Sequence, residues 1–153
     1  MIQRPRSRMT RRALLAALAT SPLAAAHAEV RALPAVSVWK DRDCACCGGW
    51  VAHMRAAGFS TVVNETDDMA AIKQRFGIPG ALQSCHTAIV DRYVLEGHVP
   101  AEDVRRLLVE RPEAAGLSVP GMPASAPGMD IPGQPYHVVL FGPAIGHRTF
   151  AQH

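Results

Sequence analysis

The sequence has 153 residues, which is enough for one domain but short for two. Hydrophobic residues make up 48% of it, so the chain can bury a core, and its formal net charge is +3. Five arginines within the first twelve residues account for the positive charge, and residues 29–153 carry 11 basic and 13 acidic side chains, a net charge of −2. This balance excludes a nucleic-acid-binding protein that works through a basic surface.

The N-terminal residues have the pattern of a secretory signal peptide. The arginines precede an apolar run, residues 13–28, that ends in A-H-A, which is typical of a cleavage site. The run is too short to span a bilayer comfortably, and Pro22 interrupts it. We therefore predict a signal peptide over residues 1–28, a periplasmic mature protein and no stable membrane span. Arg11-Arg12 before the apolar run also resembles a twin-arginine signal.

The next part of the chain predicts alternating strands and helices. Short β-rich runs predict strands over residues 33–39, 59–64, 86–90 and 94–99, and helical spacing predicts helices over 47–58, 66–77 and 100–110. The apolar residues expected to face inward are Trp50, Val51, Met54 and Ala57, then Met69, Ile72 and Phe76, then Val104, Leu107 and Leu108. This β-α-β-α-β-β-α order predicts a thioredoxin-like α/β domain over residues 29–110, with its first two strands parallel.

Residues 111–153 differ in composition from the segments before them. They are rich in Pro and Gly, lack helical or strand periodicity over most of their length, and contain Pro-Gly-Met at 120–122 and at 127–129. An apolar run at the end predicts one extra strand over 136–142. We predict a Pro/Gly-rich extension that wraps back on the domain.

Three of the four cysteines, Cys44, Cys46 and Cys47, lie at the predicted start of the first helix. Unpaired backbone N–H groups and the helix dipole favour a thiolate at such a position. A thiolate is both a nucleophile and a metal ligand, so the position does not distinguish disulfide exchange from metal binding. Export to an oxidising compartment also leaves a structural disulfide open.

The fourth cysteine, Cys85, favours metal binding. It lies just before the predicted third strand, where the oxidoreductases of a thioredoxin-like fold carry a cis-proline that faces the first helix. A cysteine there would bring a fourth sulfur to the other three. The tight C-x-C and C-C spacings do not suit a mononuclear zinc site, and soft thiolates select Cu(I). An iron–sulfur cluster is the all-cysteine rival, although its usual spacings are wider.

Other soft ligands are weaker candidates. They are the imidazoles of His86 and His98 and the thioethers of Met122 and Met129. Strand alternation predicts that His86 points away from Cys85. A structural hydrogen bond is the competing interpretation for His98, and simple packing in the turns is the competing interpretation for the methionines. His53 is predicted to be a solvated helix residue.

In combination, these motifs resemble the CopG family of bacterial copper-resistance proteins, a domain-of-unknown-function group with a thioredoxin-like fold. The matching segments are CACCGGWVAHMRAAGF, IPGALQSCHTAIVDRYVLEGHVPAEDVRRLL and GLSVPGMPASAPGMDIPG, which cover most of residues 35–153. The resemblance implies an exported protein that holds Cu(I), more than one ion, in a thiolate cluster of Cys44, Cys46, Cys47 and Cys85. It also implies a role in copper detoxification, with interconversion of Cu(I) and Cu(II) and with other periplasmic copper-handling proteins as partners.

Three functions remain open at this stage. A copper-binding protein is the leading hypothesis, and copper oxidoreductase activity is an open extension of it. The alternative is a thiol–disulfide oxidoreductase that uses Cys44 and Cys47. A third hypothesis is a zinc-bound or disulfide-linked structural module that displays a binding surface.

Overall fold

A computed structural model describes residues 32–129 and 131–153, and the predicted signal peptide lies outside these residues. The strands are β1 (Val36–Lys40), β2 (Thr61–Glu65), β3 (His86–Val90), β4 (Tyr93–Glu96), β5 (Gly116–Ser118), β6 (His137–Gly142) and β7 (Gly146–Gln152). The helices are α1 (Ala45–Ala56), α2 (Met69–Arg75) and α3 (Ala101–Glu110), with a short 3₁₀ turn at Gly80–Leu82. The predicted mixed α/β class is confirmed. Within the described residues, every helix is too short or too polar to cross a membrane.

All seven strands form one sheet in the order β2-β1-β3-β4-β5-β6-β7. The predicted parallel pairing of β1 with β2 is confirmed, and β1 pairs with β3 in the antiparallel direction. In that register Lys40, the last residue of β1, lies opposite His86, the first residue of β3. The chain that leaves β1 and the chain that enters β3 therefore lie at the same end of the sheet.

Helices α1 and α3 supply much of the core. Trp50 and Met54 on α1, with Val104 and Leu107 on α3, are 0% exposed and pack in one apolar cluster with β1, β3, β4 and β6. Burying side chains of this size contributes roughly 1.5–3 kcal/mol each. Trp50 also donates its indole N–H to the carbonyl of Val99 at 2.8 Å, so its one polar atom is satisfied.

Two local predictions about the helices are wrong. On α2, the predicted inward face (Met69, Ile72 and Phe76) is only half-buried, and the buried residue is Lys73. The helix packs against β1 and β3, and there Lys73 is buried because its ammonium reaches Glu96 on β4 and Thr87 on β3. His53 is not simply solvated, because its Nε2 accepts the N–H of Ala101 at 3.0 Å. This bond satisfies one of the unpaired N–H groups at the start of α3, where Pro100 offers no capping side chain.

The described residues after Arg111 hold three strands, whereas the sequence predicts one. The predicted strand corresponds to β6, and β5 and β7 were missed. β5 has only three residues, and most of the β7 side chains are exposed at the edge of the sheet, so neither gives an apolar alternation.

The chain between β5 and β6 contacts the two cysteine-bearing segments, residues 44–49 and residues 83–85. Gly121 donates its N–H to the carbonyl of Gln83 and forms an isolated bridge with Ser84, next to Cys85. Gly128 packs against the backbone of Gly49 at the start of α1, so closely that a Cβ on Gly49 would lie 2.7 Å from the Gly128 oxygen.

This contact gives a prediction from two adjacent glycines of α1. Gly48→Ala should raise the free energy of unfolding by about 0.5–1 kcal/mol, because alanine favours a helix and its Cβ would meet nothing within 4 Å. Gly49→Ala should lower it by about 1–3 kcal/mol, because the added carbon overpacks the contact with Gly128. Urea unfolding of both variants measures the difference. Equal stability of the two would contradict the packing of Gly128 on α1.

Candidate metal centre

The four cysteines meet at the start of α1. Cys44 is the N-cap residue of the helix and Cys46 and Cys47 lie in its first turn, while Cys85 directly precedes β3. All four Sγ atoms lie within 4.8 Å of one another. The sequence therefore predicts correctly that Cys85 faces the other three.

The sulfurs are in two different chemical states. Cys44 and Cys47 are joined by a disulfide, and Cys46 and Cys85 are free thiols. The Sγ atom of Cys46 lies 3.5 Å from that of Cys44, so a free thiol stands against the disulfide. In this state the sulfurs of Cys44 and Cys47 cannot act as thiolate ligands. Reduction of the disulfide by two electrons converts both to thiols.

Hydrogen bonds from Lys40 hold the loop that precedes α1. Its ammonium group donates to the carbonyls of Asp41 and Arg42 at 2.9 and 3.2 Å. The N–H of Cys44 donates to the carbonyl of Asp41 at 3.2 Å and closes a turn. The end of β1 is thereby joined to the helix start through a short, hydrogen-bonded loop, which holds Cys44 near β3.

Cys85 sits in a partly desolvated position. Burial, followed by the nearby Cys46, raises the pKa of the Cys85 thiol to about 12. Its Sγ lies 3.1 Å from Nε2 of His98 and 3.3 Å from Nδ1 of His86. The thiol therefore keeps its proton at neutral pH in the absence of a metal, and a metal bound there would displace that proton.

The hydrogen bond of His98 fixes which of its nitrogens carries a proton. Nδ1 lies 2.7 Å from the carbonyl oxygen of Pro127. A carbonyl can only accept, so in the neutral ring Nδ1 is the donor and Nε2 presents its lone pair to Cys85. Metal-binding histidines are commonly oriented by such a bond from the other ring nitrogen. The arrangement suits a ligand, and it also provides the hydrogen-bonding role that the sequence left open.

His86 lies deeper than expected. Its ring is 0% exposed, between the ring of Trp50 at 4.4 Å and that of His98 at 5.1 Å. The alternation argument is wrong here, because Cys85 precedes the strand and its sulfur can approach the His86 ring. Burial, and then the charges of His98 and Lys73, lower the pKa of His86 well below its ordinary value. Its Nε2 is a buried nitrogen with no hydrogen-bond partner among the described residues.

The methionine candidates lie on the segment that crosses the site. Met122 follows Gly121, which contacts Ser84, and its side chain is 58% exposed. Met129 follows Gly128, which packs on the first turns of α1, and it is half-buried. The two Pro-Gly-Met turns thus each contact one of the two cysteine-bearing segments through their glycines. Coordination by either thioether stays a prediction.

Sequence reasoning missed a buried ion pair directly behind Cys85. Glu96 is 0% exposed and Lys73 is 7% exposed, and the carboxylate and ammonium atoms lie 2.5 Å apart. Burial raises the pKa of Glu96, while its hydrogen bonds from Lys73, Thr87 and Ser84 act in the opposite direction. One signal was available, because a glutamate within the apolar run VLEGHV is unusual for a strand inside a sheet.

Comparison with known proteins identifies relatives of the chain. A family model described as "Protein of unknown function, DUF411" matches residues 82–129. Two solved structures of a copper resistance protein CopG, forms 1 and 2, are each 38% identical to the chain, with TM-scores of 0.74 and 0.75. Each similarity covers 79% of this chain and 98% of the solved chain. No curated protein sequence matches.

Proposed function

The chain belongs to the CopG family of copper resistance proteins, and from that premise we propose that it is a periplasmic protein that binds Cu(I) as its cargo through cysteine thiolates. The proposed ligands are Cys44, Cys46, Cys47 and Cys85. The observation that carries the proposal is the convergence of four sulfurs within 4.8 Å. We further infer a thioredoxin-like domain over residues 29–110, preceded by a signal peptide at 1–28 and followed by an extension, 111–153, that supplies part of the site.

The chemistry of the donor set favours copper. Thiolate and thioether ligands are soft and select Cu(I) over harder divalent ions. Four thiolates would place four negative charges in a half-buried space, and one Cu(I) would leave most of them uncompensated. Cysteine sulfurs that bridge more than one Cu(I) satisfy this charge, so we propose a multinuclear cluster.

Further ligands are available at the rim of the cysteine group. His98 presents Nε2 toward Cys85, and His86 presents Nδ1 to the same sulfur. Cys85, His86 and His98 form a second set of donor atoms that lie within 4.8 Å of one another. We propose that these imidazoles, with the thioethers of Met122 and Met129, provide further ligands for copper ions that the four cysteines do not fully coordinate.

The disulfide connects copper binding with redox chemistry. When Cys44 and Cys47 are reduced, each sulfur can give one electron to one Cu(II). The products are two Cu(I) ions and the Cys44–Cys47 bond, and the two thiol protons pass to solvent. No further reductant is needed, and the step supports redox activity of the protein in the direction from Cu(II) to Cu(I).

Anaerobic titration with Cu(I) tests the binding proposal. The fully reduced chain should bind more than one Cu(I) tightly in competition with a Cu(I) chelator, because all four thiolates are then available. Cys85→Ser should lower the stoichiometry and weaken the remaining binding by about tenfold or more, because it removes a bridging ligand. The unreduced chain, with Cys44 and Cys47 in a disulfide, should also bind fewer ions.

The control for this titration is His147→Ala, which removes an exposed imidazole on β7 and should bind as the wild type does. His98→Ala should weaken binding while leaving the cysteine count intact. Absence of Cu(I) from the reduced wild-type chain would overturn the proposal.

One observation favours the alternative, a thiol–disulfide oxidoreductase. The Cys44–Cys47 disulfide lies in a C-x-x-C at a helix N-terminus, as the catalytic disulfides of such enzymes do. Against it, Cys85 rather than proline precedes β3, at the position where oxidoreductases of this fold carry the cis-proline that holds the substrate peptide.

Two assays on the reduced chain separate these functions. Anaerobic addition of Cu(II) to the reduced chain should yield about two Cu(I) per chain, because oxidation of Cys44 and Cys47 to the disulfide releases two electrons. The Cys44→Ser variant should give a lower yield. Insulin reduction should not exceed that of the Cys44→Ser chain. Sustained insulin turnover that depends on Cys44, without formation of Cu(I), would favour the oxidoreductase instead.

Localisation has its own test. The full chain expressed in a Gram-negative host should appear in the periplasmic fraction with Glu29 as its first residue, because the A-H-A sequence precedes that position. Mass spectrometry of the recovered protein measures this. Replacing Arg11 and Arg12 by lysine should block export if the twin-arginine route is used. An unprocessed chain confined to the cytoplasm would contradict the export proposal.

A further inference from the structure

We propose that the buried carboxylate of Glu96 is a positioning residue that holds Cys85 against the other three cysteines. The inference rests on the proposed copper-binding function of the site. It goes beyond that function because Glu96 offers no ligand atom to the cluster and acts through the backbone around Cys85.

The carboxylate of Glu96 accepts hydrogen bonds from residues before and after Cys85. Oε1 of Glu96 accepts the backbone N–H of Ser84 at 2.6 Å, and Oε2 accepts the hydroxyl of Thr87 at 2.6 Å. Ser84 and Thr87 stand on either side of the Cys85–His86 dipeptide. One rigid group therefore fixes the chain before and after the two residues whose side chains face the site.

The hairpin around Glu96 restricts the same segment further. Thr87 lies opposite Glu96 in the pairing of β3 with β4, and the N–H of Gly97 donates to the carbonyl of His86 at 2.9 Å. Gly97 has a φ of +72°, and a Cβ there would lie 2.5 Å from the Ser84 hydroxyl oxygen. Ser84 is thus packed directly over the turn that leads from Glu96 to His98, so the position of Cys85 is linked to that of His98.

Lys73 explains how a charged carboxylate can occupy this position. Its ammonium lies 2.5 Å from Oε1 of Glu96 and also donates to the Thr87 hydroxyl at 3.3 Å. Removing one member of a buried ion pair leaves the other charge uncompensated. This contact accounts for the burial of Lys73 on α2, a helix whose apolar face is only half-buried.

The chemistry of the carboxylate distinguishes it from an amide of the same size. Both carboxylate oxygens accept, and every contact that Glu96 makes is with a donor. Glutamine offers one accepting oxygen and two N–H donors, so it would place a donor against Ser84, Thr87 or Lys73. Glu96→Gln should therefore release the segment around Cys85 with almost no change in side-chain volume.

The first measurement is Cu(I) affinity in anaerobic competition with a chelator, together with the near-ultraviolet absorption of the Cu(I)–thiolate cluster. Glu96→Gln should weaken binding by about tenfold or more, as outer hydrogen-bond partners of metal ligands commonly do. In a Cys85→Ser background the same substitution should have almost no further effect, because the residue it positions is gone. Thr87→Val, which removes one donor, should act in the same direction more weakly and serves if Glu96→Gln fails to fold.

The matched control is Asp103→Asn. Asp103 is also a buried carboxylate, 4% exposed, but its partners are Arg106 on α3 and His153, the last residue of the sequence. It should lower stability without changing Cu(I) affinity or the cluster absorption. If Glu96→Gln weakens binding equally in the presence and absence of Cys85, its role is general stability and the positioning role is excluded.

A second measurement needs no copper and keeps the two proposals separable. In the unreduced chain only Cys46 and Cys85 are free, and their sulfurs lie within 4.8 Å of each other. Dibromobimane, which becomes fluorescent when it joins two nearby thiols, needs thiolates and is therefore used at alkaline pH, where more of the Cys85 thiol ionises. It should crosslink the two cysteines in the wild type and in Asp103→Asn, and severalfold more slowly in Glu96→Gln. Equal rates in the wild type and Glu96→Gln would overturn the positioning role, whereas wild-type crosslinking without any Cu(I) binding would overturn the proposed function alone.

Discussion

The antiparallel pairing of β1 with β3 is the constraint on which the candidate site depends. It sets Lys40 opposite His86, so the loop that begins α1 and the residue that precedes β3 meet at one end of the sheet. The parallel pairing of β1 with β2 requires a crossover, and α1 provides it. A helix N-terminus carrying three cysteines is thereby fixed beside a fourth cysteine that is distant in sequence.

The segment between β5 and β6 adds a second set of constraints to the same place. It contacts Ser84 through Gly121 and the start of α1 through Gly128, and the carbonyl of Pro127 orients His98. The close approach to α1 is possible because two glycines face each other, and side chains there would separate the backbones. A Pro/Gly-rich sequence without periodicity therefore has a defined position, determined by its contacts with the cysteine-bearing segments.

Sequence patterns predicted the features that depend on local spacing. The inward positions of Trp50 and Met54 follow from helical periodicity, and β3 follows from a short β-branched run. The approach of Cys85 to the other cysteines required only the order of the elements and a likeness to known proteins. Patterns failed where a tertiary partner decides the outcome. Lys73 is buried because Glu96 is present, and β7 forms because β6 offers an edge, although its own residues carry almost no strand signal.

The sequence named Cys44 and Cys47 as a redox pair only under the oxidoreductase alternative, since spacing alone allows several disulfides among four cysteines. The structure joins Cys44 to Cys47 and leaves Cys46 and Cys85 as thiols. Under the proposed function this pairing has a thermodynamic consequence, because a ligand that binds only the reduced chain stabilises that form. Cu(I) bound to the thiolates would make the Cys44–Cys47 bond harder to form, and forming the bond would by the same linkage weaken the hold on Cu(I). The oxidation state of Cys44 and Cys47 and the occupancy of copper would then be thermodynamically coupled, while Cys46 and Cys85 offer ligand atoms in both forms.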